Sequence, residues 1–113
     1  MAESGTKSGG ADITIKANGT YSSTKRARVN KGSKFKVRVE NDSLAVVTVG
    51  ISGFRNSNGE SKLPLERNPY VTVAPGERDK MSSRVGASAD SDVYTYNITV
   101  DGTVIADPEL EIP

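Results

Sequence analysis

An all-β Greek-key β-sandwich of about eight or nine short strands is the fold this sequence predicts. Three observations predict it. Apolar residues recur at every second position through most of the chain, the period of a strand with one buried face. Turn formers such as Asn18-Gly19, Pro75-Gly76 and Asp101-Gly102 punctuate these segments at regular spacing. No segment carries the apolar spacing of an amphipathic helix. A chain of 113 residues fits one domain with one core.

Residues 1–11 are rich in Gly, Ser, Lys and Thr without an apolar anchor, so they read as a disordered tail or cloning remnant, and the sandwich domain is expected over 12–113. Ile13, Ile15 and Ala17 alternate with Thr14 and Lys16 in an opening strand that Asn18-Gly19 ends. Ala27 and Val29 continue the alternation up to Asn30-Lys31-Gly32. Phe35, Val37 and Val39 then face one way and Lys34, Lys36, Arg38 and Glu40 the other, the clearest amphipathic strand in the chain. Residues 44–51 are almost continuously apolar, which predicts a central strand covered on more than one side.

The stretch 52–69 carries turn residues throughout and is longer than most connections, which reads as a functional or flexible loop. Its Phe54, Leu63 and Leu65 are expected to tuck onto the core, and Phe54, Arg55, Leu63, Leu65 and Tyr70 form a candidate interface loop. Tyr70 to Val73 is a short strand, and Met81, Ser83 and Val85 alternate with Lys80, Ser82 and Arg84 in the next. Tyr94, Tyr96, Ile98 and Val100 share one face of a long strand, Asp101-Gly102 turns a hairpin, and Leu110 and Ile112 belong to a closing strand.

The chain contains no histidine and no cysteine. Histidine is the side chain that titrates near neutral pH unperturbed, and cysteine supplies the usual soft metal ligand and thiolate nucleophile. Charge-relay hydrolysis, zinc and type-1 copper sites, haem ligation and disulfides lose their ligands with them. No cofactor, no metal and no enzymatic activity are expected. No apolar stretch reaches the ~20 residues that span a bilayer as a helix, so no membrane insertion is expected. The expected setting is extracytoplasmic, periplasmic or secreted after removal of a leader, with a cytoplasmic one as the alternative.

Net charge is +1, but basic residues crowd Lys25 to Arg38 and the charges after Arg84 are all acidic. The plain expectation is that basic and acidic strands neutralise each other in space; the sharper one is a basic patch that recruits an anionic partner. Lys34, Lys36 and Arg38, on one strand face, are the candidate anion-binding residues, with a solvated or edge-protecting role as the alternative. Phe35 is expected in the core and so cannot stack on a base. Asp90 and Asp92, with Glu77, Asp79 or Asp101, supply oxygens of the kind calcium takes, but match no calcium-loop spacing and read as turn formers. Asn18, Asn41 and Asn97 match the glycosylation acceptor pattern.

From Ala11 to Val49 the sequence resembles the first half of a cupredoxin: an opening strand, Ala27-Arg-Val29, the turn glycine Gly32, then Phe35-Lys-Val-Arg-Val-Glu-Asn41. Cupredoxins place a copper-binding histidine soon after that asparagine, where this chain has Asp42-Ser-Leu-Ala-Val-Val47. Val73-Ala-Pro-Gly-Glu77 and Tyr94-Thr-Tyr96 are similar to the later half, with Ile98 about where the copper-binding cysteine would stand. The resemblance implies the fold without the metal. A competing resemblance is to immunoglobulin-like domains, in which Asp90-Ser-Asp-Val-Tyr94 looks like the corner of the sixth strand and Tyr94 would donate a hydrogen bond to nearby backbone.

Three functions are thus expected in order: a non-catalytic binding or assembly module with a protein partner or self-association; an immunoglobulin-like adhesive or structural domain of a larger surface assembly or particle; and a nucleic-acid or polyanion module working through Lys34, Lys36 and Arg38.

Overall fold

The computed structural model describes residues 6–113, all strand, turn and loop, in two curled mixed sheets packed as a β-sandwich. The eleven strands are β1 (Thr6–Ser8), β2 (Gly10–Ile15), β3 (Tyr21–Ser23), β4 (Arg26–Arg28), β5 (Lys34–Asn41), β6 (Val47–Arg55), β7 (Tyr70–Val73), β8 (Arg78–Arg84), β9 (Asp92–Val100), β10 (Thr103–Ala106) and β11 (Glu109–Ile112). The larger sheet runs β1-β4-β11-β9-β6-β7, with β10 paired to β9; the smaller runs β3-β2-β5-β8. Three pairings are parallel and join strands apart in sequence: β1 with β4, β2 with β5, and β11 with β4.

The alternation seen in sequence is the alternation of burial. Phe35, Val37 and Val39 of β5 meet Tyr94, Tyr96 and Ile98 of β9 in one core that draws on both sheets. Tyr96 sits at its centre, with Phe54 stacked on it at 5.2 Å between ring centroids and Phe35 edge-on at 5.8 Å. Tyr94 donates its hydroxyl to the carbonyl of Asp90 at 3.0 Å, the backbone contact expected of it.

Three sequence expectations need correction. The tail expected over 1–11 falls partly outside the described residues, but Thr6–Ser8 forms β1 and Gly10 and Ala11 open β2. Backbone pairing orders the polar part, with β1 filling the free side of β4 and Gly9, at φ 84, turning the chain from one sheet into the other, while Ala11 packs into the core. The apolar run 44–51 is not one buried strand. Leu44 and Val46 are exposed in a loop, and from Val47 onward one residue in two faces inward, because β6 has the core on one face only. The connection 52–69 is shorter and more structured than expected. β6 runs on to Arg55, residues 56–60 make a tight turn, and Leu65 bridges to Val85 so that the segment covers part of the β8 edge.

Candidate binding face

β5 and β8 lie side by side and antiparallel, so their outward residues form cross-strand rows: Lys34 with Arg84, Lys36 with Ser82, Arg38 with Lys80, and Glu40 with Arg78. On the other side of β5, Gly10 stands beside Lys36 and Asp12 beside Arg38. Gly10 has no alternative, since a Cβ there would run into the Lys36 carbonyl. The three candidate cations recur every second residue, a separation of about 7 Å along a strand.

Lys34, Lys36 and Arg38 line one open groove of about 760 Å³ together with Lys7, Lys80 and Arg84. The rest of its lining is Ser8, Gly9, Gly10, Gly32 and Ser33, and among the described residues no carboxylate or aromatic ring belongs to it. Asp12 is the counter-charge at one end, accepting from Arg38 Nε at 3.0 Å and lying 3.6 Å from the Lys7 ammonium. Among the described residues, Lys34, Lys36, Lys80 and Arg84 form no ion pair. Further along the same face a second hollow of about 560 Å³ mixes signs, with Asp12, Glu40 and Asp79 among Arg38, Arg78 and Lys80. The excess positive charge is therefore concentrated at the Lys34, Lys36 and Arg84 end.

The two expectations about charge divide along the chain. In β4 neutralisation holds: Arg26 grips Glu109 at 2.6 Å, and Arg26 and Arg28 both approach Glu111 across the parallel β4–β11 pairing. In β5 it holds for Arg38, paired with Asp12 of β2, but not for Lys34 and Lys36, whose neighbours on β8 are Arg84 and Ser82. Sequence reading missed Lys7, Lys80 and Arg84. The alternation of β8 was a visible signal for the last two, but which strand faces them is a matter of pairing.

The candidate interface loop is split by the fold. Phe54 and Leu65 are buried, so they hold the loop down, whereas Leu63 is 44% and Tyr70 73% exposed. Leu63 thus lies outside the core it was expected to join, because the bridge of Leu65 to Val85 already seals that edge. Arg55 is exposed and donates to the Gly59 carbonyl at 3.1 Å. Tyr70 occupies the outer face of the larger sheet in a row with Gly50, Thr99 and Val104, on the opposite side of the molecule from the basic groove.

The carboxylates of the 90s do not gather. Asp90 pairs with Lys62 at 2.7 Å, which holds its carboxyl below the usual range and raises the Lys62 ammonium. Asp92 accepts from the Ser57 hydroxyl and from the Val93 and Ser57 amides, which lower it as well. Burial raises the phenols of Tyr94 and Tyr96. Among the described residues no group of three or more acidic side chains could hold a metal ion.

Asn41 is fully buried at the end of β5 and cannot serve as a glycosylation acceptor. Its amide nitrogen donates to the carbonyls of Ala45 at 2.8 Å and Val73 at 2.9 Å, and its oxygen accepts from the Ser43 amide and hydroxyl. These bonds hold the loop after β5, which presents Leu44, 93% exposed.

No protein-family model matches the chain, and no curated protein matches it. Among solved structures, Lac15 from a marine microbial metagenome is similar at 13% identity and a TM-score of 0.45. The match covers 94% of this chain and 31% of that one, so the chain spans about a third of that structure's length.

Proposed function

We propose that this chain is a non-catalytic, copper-free cupredoxin-like binding module that engages an anionic partner through the outer face of its four-stranded sheet. The observation that carries the reading is the groove in which six cations meet, two of them paired with Asp12 at one end, with no carboxylate among the described lining residues. Like charges on adjacent strands repel, and directly opposed pairs such as Lys34 and Arg84 weaken a sheet unless something neutralises them. A negative partner removes that repulsion and gains attraction in the same step. The cupredoxin-like part is supported by the parallel β2–β5 and β4–β11 pairings, which differ from the antiparallel sheets of an immunoglobulin domain. The non-catalytic part rests on the chemical inventory: the groups with displaced pKa values are a surface ion pair, a turn aspartate and two structural tyrosines, spread over the fold.

Titration with inorganic polyphosphate by calorimetry tests the reading. Binding should be tight at low salt, fall steeply as salt rises, and weaken in the double variant Lys34→Gln/Lys36→Gln but not in Lys25→Gln, an exposed lysine outside the groove. Absence of binding at low salt would refute it. Self-association is a second reading, favoured by exposed Tyr70 and Val104 in one row of the larger sheet; analytical ultracentrifugation showing only monomer at high concentration would remove it.

A further inference from the structure

We infer that the anionic partner of the basic groove is a linear acidic polysaccharide, held through its charged groups and hydroxyls; this rests on the anionic-partner reading above.

The groove offers two kinds of contact. Ammonium groups of Lys34, Lys36 and Lys80 line it, and the small polar residues Ser8 and Ser33 belong to the same lining, with Ser82 opposite Lys36 on β8. Gly9 and Gly32, with open space where a Cβ would stand, leave that part of the lining without side chains, so a chain of sugar rings can approach the backbone closely. Lysine ammoniums are compact, rotatable point charges that follow charged groups of varied geometry; the planar forks that would bind a phosphate bidentately are engaged elsewhere, Arg38 on Asp12 and Arg84 on the Gly32 carbonyl at 2.5 Å.

What the groove withholds separates this ligand from a nucleic acid. Single strands are gripped by aromatic rings that stack on their bases, each worth about 1–3 kcal/mol. The aromatic residues here are placed elsewhere. Phe35, Phe54, Tyr94 and Tyr96 are buried in the core, Tyr70 lies on the other sheet, and Tyr21 is on β3, the far edge strand of the smaller sheet. The run from Lys34 to Arg38 spans only about 13 Å, and Asp12 closes its end, so a rigid duplex would rest on the rim and leave the floor untouched. A flexible, ring-chain polymer with charges and hydroxyls along its length satisfies both kinds of contact.

Fluorescence anisotropy with the full chain tests this, using end-labelled heparin and polygalacturonate fragments and an oligothymidylate of matched charge at the same salt. At least one polysaccharide should bind about tenfold tighter than the oligothymidylate. That preference should survive at raised salt, because hydroxyl contacts are not screened. Ser33→Ala, which leaves every charge in place, should narrow the gap, with its fold checked by circular dichroism. Oligothymidylate binding as tightly as either polysaccharide, or tighter, overturns the polysaccharide assignment while leaving the anionic-partner reading intact. Failure of all three probes to bind at low salt overturns both.

Discussion

Replacing Asn41 by alanine tests whether one buried amide shapes the end of the sandwich. The side chain makes four hydrogen bonds, of which the one to the Val73 carbonyl is buried and those to Ala45 and Ser43 are partly open to water. Leaving the buried carbonyl unsatisfied costs roughly 2 kcal/mol and the half-open partners about 0.5 kcal/mol each, near 3 kcal/mol in all. For a domain of this size that is a fall in Tm of roughly 12 °C. Asn41→Asp is the sharper variant. It keeps the acceptor oxygen for Ser43 but turns a carboxylate toward two carbonyls, so at neutral pH it should be less stable than the alanine variant and should recover on acidification, when the protonated acid can donate. Urea unfolding followed by far-ultraviolet circular dichroism is the assay, with the midpoint moving and the slope unchanged. A loss below about 1 kcal/mol for Asn41→Ala would refute the reasoning. It would place the burden on the backbone bonds from the Asn41 amide to Glu77 and from the Gly76 amide to Asn41, at 3.0 and 2.7 Å.

Two further outcomes are expected. Phe54→Ala should cost about 3–5 kcal/mol, since it empties the stack against Tyr96, while Leu63→Ala should stay within about 0.5 kcal/mol; equal losses would mean that Leu63 packs against the core after all. The depressed carboxyls of Asp90 and Asp92 contribute stability that is present above their unfolded pKa near 3.8 and lost as pH falls through the lower folded values. Lys62, raised above 10.5, contributes in the opposite sense: fully below that value, and lost as pH rises through the folded one. Urea midpoints from pH 7 downward should therefore fall less steeply in Asp92→Asn, and an unchanged slope would sink the assignment.

The strand order bears on the edge-protecting alternative for the groove lysines. Lysines on exposed strands usually protect an edge. Here β5 is an interior strand of its sheet, flanked by β2 and β8, so Lys34 and Lys36 guard no edge. The nearer edge, β8, carries Arg78, Asp79 and Lys80 along its first half and is covered near Val85 by the segment around Leu65.

The sequence by itself determined the long strands of the core, because the period-two pattern is local: Phe35, Val37 and Val39, or Tyr94, Tyr96 and Ile98, declare their buried face within a few residues. It also determined the absence of histidine and cysteine chemistry, and the outward direction of Lys34, Lys36 and Arg38. Where the alternation carries no apolar signal, as in Thr6–Ser8, the strand was invisible, since only the open side of β4 orders it. Where apolar residues run together, as in 44–51, the pattern could not distinguish a buried strand from exposed Leu44 and Val46 leading into one. Pairing belonged to the tertiary structure alone. Arg26 and Lys34 lie eight positions apart in one basic segment, yet the parallel partner of β4 brings Glu109, and the antiparallel partner of β5 brings Arg84. Charge is written in the chain, but whether it is neutralised depends on which strand lies within about 5 Å, and that is decided by contacts between residues far apart in sequence.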